Sequence, residues 1–125
     1  MGLLDGMLGN ASKIDIARIQ QEFSQILASG EQVEHAYQLI RDYFVFTNKR
    51  LVLVDKQGMT GSKVEYHSIP YKSITHFSVE TGGHFDLDAE LKIWISGTAL
   101  PVQKRFNKKL SIYEVQSVLA GYVLR

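Results

Sequence analysis

The chain has 125 residues, a length that suits one domain with a substantial core and is too short for two independent domains. Its 14 Lys and Arg residues are nearly balanced by 13 Asp and Glu residues, and the net charge of +1 predicts no general attraction to nucleic acid or acidic lipid. The chain has no cysteine, which excludes disulfides, thiolate metal sites and a cysteine nucleophile.

The first ten residues form an apolar segment that is interrupted by Asp5, Gly6 and Gly9. No basic residue precedes its apolar side chains, so the segment is not predicted to be a signal peptide. Gly6 stands where N-myristoylation requires Ser or Thr, which argues against that modification. No run approaches the roughly 20 apolar residues of a membrane-spanning helix. We therefore expect a cytoplasmic protein, with a membrane-peripheral location as the alternative.

Residues 12–29 predict an amphipathic helix. Its apolar residues have the spacing of three and four that forms one helical face: Ile16, Ile19, Phe23, Ile26 and Leu27. Ser12 is placed to cap the start of this helix, and Gly30 is placed to end it. Residues 1–30 are therefore interpreted as an N-terminal segment with a helix and residues 31–125 as the main domain, within one structural unit.

From Val33 onward the apolar period changes to two, which predicts a strand with Val33, Tyr37 and Leu39 on one side. Asn48 and Lys49 separate two apolar runs and predict a tight hairpin. With the first strand and this hairpin, the remaining alternating segments make seven strands: 33–39, 43–46, 51–54, 64–70, 74–80, 89–95 and 100–106. Most connections are short, as in an antiparallel meander.

The last segment predicts a helix that begins at Ser111. Ser111 and Glu114 have the spacing of a capping box, and Leu110 and Val115 that of a hydrophobic staple. An apolar stripe follows: Ile112, Val115, Leu119, Tyr122 and Val123. The predicted fold is mainly β, a seven-stranded antiparallel barrel or sandwich capped by this helix and preceded by the N-terminal amphipathic helix.

The hairpin sequence YFVFTNKRLVLVDKQG, Tyr43 to Gly58, resembles the bacterial pleckstrin-homology-like family. The resemblance extends over the whole chain, from the start MGLLDGMLGNAS to the C-terminal helix. It implies a pleckstrin-homology fold with an extra N-terminal helix, a non-enzymatic role and ring-like homo-oligomers. Relatives that bind phosphoinositides carry several Lys and Arg between strands one and two. This chain has Ile40-Arg41-Asp42 there, so the customary headgroup site is not expected.

Candidates for catalysis and metal binding are weak. Ser62, Ser68 and Ser73 lack the context of a nucleophile elbow, and the glycines do not have P-loop spacing. The His84-Phe85-Asp86-Leu87-Asp88 segment would present three potential ligands on one side of an extended chain. It follows Gly82-Gly83, however, and a turn with solvated polar residues is the favoured interpretation. We therefore predict no enzyme activity, metal or cofactor.

Two basic clusters are the candidate ligand contacts: Lys49 with Arg50, and Lys104 with Arg105. Lys108 and Lys109 extend the second cluster around Phe106, a pattern that is superficially typical of a nucleic-acid surface. Lys-rich stretches more often keep an edge strand or a loop soluble, and the net charge is near zero. Nucleic acid is therefore not a predicted partner.

The N-terminal segment and its helix are the candidate interface: Leu3, Leu4, Met7, Leu8, Ile19 and Phe23. These side chains can pack on the chain's own sheet, on a second copy or at a membrane surface; the last is disfavoured because the helix's polar face is not rich in Lys or Arg. Our hypothesis is a scaffold module that homo-oligomerises through strand edges or this helix and that binds an unidentified protein. The alternative is a peripheral lipid-binding protein that uses the N-terminal apolar segment and basic residues.

Overall fold

A computed structural model describes residues 15–39, 42–57, 62–81, 89–106 and 112–125. Two compact units divide between Pro70 and Tyr71. The first contains helix α1 (Ile16–Glu22) and strands β1 (Val33–Gln38), β2 (Asp42–Thr47), β3 (Arg50–Gln57) and β4 (Lys63–Pro70). The second contains a 3₁₀ turn (Tyr71–Ser73), strands β5 (Ile74–Thr81), β6 (Ala89–Ile95) and β7 (Val102–Phe106), and helix α2 (Ile112–Val123).

The strands form two antiparallel sheets. The first has the order β1-β2-β3-β4 and the second the order β5-β6-β7, so every neighbouring pair within a sheet is consecutive in sequence. Within the described part of the chain, the predicted mainly β fold with seven antiparallel strands, a C-terminal helix and an N-terminal helix is confirmed.

Helix α1 covers one face of the first sheet. The side chains of Ile19 and Phe23 have no exposed area, and Ile26 and Leu27 add partly buried apolar surface. They pack in one cluster with sheet residues Val33, Ala36, Tyr43, Val45, Val52 and Val54. The opposite face of β2 and β3 is also buried, at Phe44, Phe46, Leu51 and Leu53. A nearly continuous apolar run in these two strands is what burial on both faces requires.

The N-terminal helix is shorter than the predicted 12–29. Asp15 is the N-cap and has extended backbone, and its side chain accepts a hydrogen bond from the Ala17 N–H. The helix ends at Glu22, because the chain then enters turns in which Ile26 N–H donates to the Phe23 carbonyl three residues earlier. The predicted cap, Ser12, lies outside the described residues. Gly30 does not end the helix; it occupies a later turn with φ near +79°, a conformation that favours glycine.

The predicted face of the first strand also needs correction. The pairing of β1 with β2 shifts register between Val33 and His35, so the two-residue alternation is broken there. Val33 consequently belongs to the cluster under α1, whereas Tyr37 points to the other face and contacts Phe46 edge to face, with 6.2 Å between ring centroids. The prediction that Val33 and Tyr37 share one side was wrong because the sequence carries no signal for this bulge.

In the second unit, α2 packs on β5, β6 and the 3₁₀ turn. Its predicted apolar stripe is confirmed: Ile112, Val115, Leu119 and Tyr122 are buried and Val123 is half-buried. Leu110 and Ser111, on which the predicted capping box and staple depend, lie outside the described residues. Among the helices of the described residues, none has the length and apolar character needed to cross a membrane.

Candidate functional site

Arg50 and Glu31 form a partly buried ion pair at the start of β3. The Arg50 Nε donates to Glu31 Oε2 at 2.8 Å, and Nη2 donates to Oε1 at 3.0 Å, so the pair is bidentate. Two further donors of the guanidinium are also used: Nη2 donates to the Ile26 carbonyl at 2.6 Å and Nη1 to Ser68 Oγ at 2.7 Å. Arg50 was a candidate ligand contact, but these bonds make it a structural residue that ties the segment after α1 to the β2–β3 hairpin.

The carboxylate of Glu31 is satisfied from the other side as well. The Thr47 hydroxyl donates to Oε2 at 2.6 Å, and the Ala28 N–H donates to Oε1 at 2.8 Å. Burial alone raises the pKa of Glu31, but the hydrogen bonds from Arg50, Ala28 and Thr47 outweigh it and hold the pKa below its ordinary value. In the described residues no buried side-chain nitrogen or oxygen lacks a hydrogen-bond partner.

The lowered pKa of Glu31 predicts a loss of stability in acid. A carboxylate whose pKa is lower in the folded chain than its ordinary value of 4.5 stabilises fully above that value, and the contribution disappears as the pH falls through the folded pKa. We expect the difference in unfolding free energy between the wild type and Glu31→Gln to be largest near about pH 6 and to narrow toward about pH 3. Urea titrations at a series of pH values measure this difference, and a constant difference would contradict the prediction.

The other three basic candidates divide between the units, with Lys49 in the first and Lys104 and Arg105 in the second. Lys49 is exposed in the two-residue turn between β2 and β3. Lys104 and Arg105 are neighbours on β7 and therefore point to opposite faces of the second sheet, Lys104 beside Leu91 and Arg105 beside Glu90. Because a cross-strand carboxylate lies next to Arg105 and Lys104 has its own interactions, the two do not form one cationic cluster.

The candidate interface residues divide into two groups. Leu3, Leu4, Met7 and Leu8 lie outside the described residues. Ile19 and Phe23 are fully buried between α1 and the first sheet, so they would meet another copy only if the helix left the sheet. The sequence left open whether the helix packs on its own sheet, on a second copy or at a membrane. In the structure the helix packs on its own sheet.

Three of the four histidines lie in the described residues. His35 lies on β1 and contacts Phe46 edge to face, His67 is exposed on β4, and His76 stacks on Trp94 with 4.4 Å between centroids. The described residues contain no group of three or more His, Cys, Asp or Glu side chains suited to a metal ion. The His84, Asp86 and Asp88 segment lies outside them, so its prediction is not tested.

Strand β4 is a feature that the sequence did not single out. It has eight residues, pairs with β3 alone in the described sheet, and has one buried residue, Ile69. Tyr66 on this strand is 41% exposed and contacts the ring of Phe23 edge to face at 5.7 Å. A long strand at the edge of a sheet, with most of its residues exposed, offers unpaired backbone groups to another strand.

The direction of the β4 amides follows from the hairpin. The Arg50 N–H donates to Thr47 Oγ1 on β2, so the backbone groups of Arg50 point toward β2. Backbone groups alternate sides along a strand, and the N–H and C=O of Leu51 therefore point toward β4. Leu51 is paired with Ile69, and every second residue of β4 therefore turns its N–H toward β3. The outward-facing N–H groups are those of Val64, Tyr66 and Ser68, while Pro70, also on the outward side, has none to lose.

A second polar contact on the first sheet was also missed. Lys56 on β3 donates from Nζ to the Tyr43 hydroxyl at 2.7 Å and lies 4.5 Å from the centroid of the same ring. This hydrogen bond raises the pKa of Lys56. Cross-strand pairs of this kind depend on register, which spacing along the chain does not give.

Comparisons with known proteins agree on the family. The sequence model of the bacterial PH domain matches residues 2–123. The uncharacterized protein YjqA of Bacillus subtilis (strain 168) is 63% identical over 122 residues, which cover 97% of this chain and 98% of YjqA.

Solved structures give the same result. The pleckstrin homology domain from Shewanella amazonensis SB2B has a TM-score of 0.86 and 52% identity, covering 99% of this chain and all of that one. A protein with a pleckstrin-homology domain from Shewanella loihica PV-4 has a TM-score of 0.82 and 51% identity, and the match covers 90% of this chain and 96% of that one. The chain belongs to the bacterial PH domain family.

Proposed function

We propose that this chain is a non-enzymatic scaffold module of the cytoplasm that assembles into a ring-like homo-oligomer through strand edges and presents repeated sites to a protein partner. The exposed edge of β4 carries this proposal. Addition of a strand from another chain satisfies the outward backbone groups by main-chain hydrogen bonds, and main-chain pairing is a recurrent mode of recognition.

The near-neutral charge of the chain supports self-association. At a net charge of +1, copies repel one another weakly, and a net charge close to zero favours association. A closed ring requires a heterologous contact, in which β4 of one copy meets a different edge of the next. In the sheets of the described residues, the other strands at the ends are β1, β5 and β7. A ring repeats any weak ligand site and converts low affinity into avidity.

A proline at Ser68 tests the edge. We expect the wild type to have a solution mass of several subunits by light scattering and Ser68→Pro to shift it toward the monomer, because proline removes an outward N–H and obstructs an incoming strand. The cost to the β3–β4 pairing is small, since that N–H points away from β3.

Ser68→Ala is the matched control for this variant. It loses the same hydroxyl contact with Arg50 but keeps the backbone N–H, and we expect it to retain the wild-type mass. A monomeric wild type would disprove the assembly, whereas an unchanged mass in Ser68→Pro would disprove the assignment of the β4 edge.

A further inference from the structure

One end of the second unit combines exposed apolar side chains with cations. The backbone there is fixed: the Ser96 N–H donates to the Ser73 carbonyl at 2.8 Å, and Thr98 Oγ1 donates to the Ile95 carbonyl at 2.7 Å. Gly97, with φ near +87°, completes the turn after β6. The loop between β6 and β7 is therefore held by internal hydrogen bonds, and the bond from Ser96 to Ser73 joins its start to the 3₁₀ turn.

The end of α2 joins the same region. Tyr122 stacks on Tyr71 of the 3₁₀ turn, with ring centroids 4.5 Å apart, and the Arg125 guanidinium lies 5.0 Å from the Tyr122 centroid. This contact places the last turn of the helix beside the turn that bonds to Ser96. We call the resulting surface the basic-apolar tip and define it by six residues: Tyr71, Lys72, Trp94, Leu100, Leu124 and Arg125.

The apolar side chains of the basic-apolar tip are unusually exposed. Leu100 is 81% exposed and Leu124 is 72% exposed. Trp94 is half-buried and stacks on the exposed ring of His76; the pairing of Ile93 with Val102 brings it next to the end of the loop that holds Leu100. Two exposed leucines and a half-buried tryptophan at this end of the second unit suit the boundary between lipid headgroups and acyl chains.

The charges of the second unit are segregated along its length. Residues 71–79, 91–103 and 115–125 contain Lys72, Lys92 and Arg125 but no Asp or Glu side chain. The carboxylates of the described part of this unit lie elsewhere: Glu80 and Glu90 face each other near the other end of the second sheet, and Glu114 is in the first turn of α2. The charged side chains of the tip, Lys72 and Arg125, are therefore both cationic although the whole chain is nearly neutral.

We propose that the basic-apolar tip docks on an anionic lipid surface, with Leu100 and Leu124 inserted at the interface and Lys72 and Arg125 against the headgroup charges. Apolar insertion and attraction to anionic lipid together give reversible binding, and each nearby cation adds to it. This site shares no residue with β4 and does not rest on the proposed self-assembly, although an assembly with several tips facing one way would bind more tightly.

The chain supplies its own reporter, because Trp94 is its single tryptophan. The full chain is titrated with vesicles of phosphatidylcholine alone and of phosphatidylcholine with phosphatidylglycerol, and both sedimentation and Trp94 fluorescence are recorded. We expect binding to the anionic vesicles that weakens with salt, with a blue shift of the fluorescence, and little binding to the neutral ones.

Variants at the tip distinguish this surface from others. Leu100→Ser is expected to weaken partitioning about tenfold, the order supplied by burial of one leucine side chain. Lys72→Gln is expected to weaken it about fivefold. Tyr113→Ser is the control, because Tyr113 is 68% exposed but lies in the first turn of α2. Its partitioning should equal that of the wild type.

Two outcomes would overturn the proposal. The first is absence of binding to anionic vesicles while circular dichroism shows a folded chain. The second is vesicle binding that neither Leu100→Ser nor Lys72→Gln weakens. Binding that is lost on deletion of Met1 to Asn10 but not in these variants would be one such case. Because solution mass is measured separately, failure of lipid binding is distinguishable from failure of self-assembly.

Discussion

Glu31→Ala is expected to lower the free energy of unfolding by about 3 kcal/mol. Its side chain is 1% exposed, and its removal leaves the Arg50 guanidinium without a carboxylate and the Thr47 hydroxyl and Ala28 N–H without their acceptor. Loss of one member of a buried ion pair costs more than the pair contributes, because the remaining charge stays desolvated. The Arg50 side chain is 23% exposed, so water can solvate part of the guanidinium charge and reduce the loss of stability.

A double-mutant cycle measures this coupling. Urea unfolding of Glu31→Ala, Arg50→Met and the double variant should give a double loss smaller than the sum of the single losses, by about 2 kcal/mol. Glu65→Ala on β4 removes an exposed carboxylate and should change stability by less than about 0.5 kcal/mol. Additive losses in the cycle would mean that the two residues act independently and that the network does not hold the hairpin.

Much of the secondary structure follows from local pattern. The alternation around Leu91 and Ile93 marks β6, because one face of the second sheet is buried and the other is not. The spacing of Val115, Leu119 and Tyr122 marks α2 for the corresponding helical reason. These elements were predicted because the burial that shapes them repeats with the period of the backbone.

The predictions were wrong where contacts between residues distant in sequence determine the local backbone conformation. Apolar spacing continues through Ile26 and Leu27, so it predicted a long helix, yet these residues reach the sheet from turns rather than from helix. The bulge after Val33 reverses which face its neighbours occupy, and nothing in the alternation announces it. Local periodicity records which residues are buried but not the backbone that buries them.

The candidate site shows the same limit more strongly. Arg50 beside Lys49 indicated a basic patch, since its partner Glu31 lies 19 residues away and the two meet only through the fold. The edge position of β4 is likewise a property of strand order, and an edge strand with mixed residues such as Glu65 and Tyr66 does not differ in pattern from a central one. A cluster of charged residues in the sequence therefore identifies candidate residues, but their role depends on which side chains and strands they pair with in the fold.

Phe23→Ala is expected to have the largest effect, a loss of about 4 kcal/mol in unfolding free energy. The ring has no exposed area, lies in the cluster between α1 and the first sheet, and contacts Tyr66 edge to face. Helix α1 has seven residues, too few to be stable alone, so its helicity depends on this packing. Truncation therefore removes both apolar burial and the anchor of the helix.

Hydrogen exchange and unfolding together test this explanation. The amides of Ile19 and Phe23, which donate to the Asp15 and Ile19 carbonyls, should lose protection in Phe23→Ala, while those of β2 and β3 should keep theirs except for the reduction that global stability imposes. Ile16→Ala is the control on the same helix: its side chain is 40% exposed, and its effect should be below about 1 kcal/mol. If Phe23→Ala instead left the stability of the dissociated chain unchanged and reduced only the mass of the assembly, Phe23 would belong to a contact between copies, and the packing of α1 on its own sheet would not be its role.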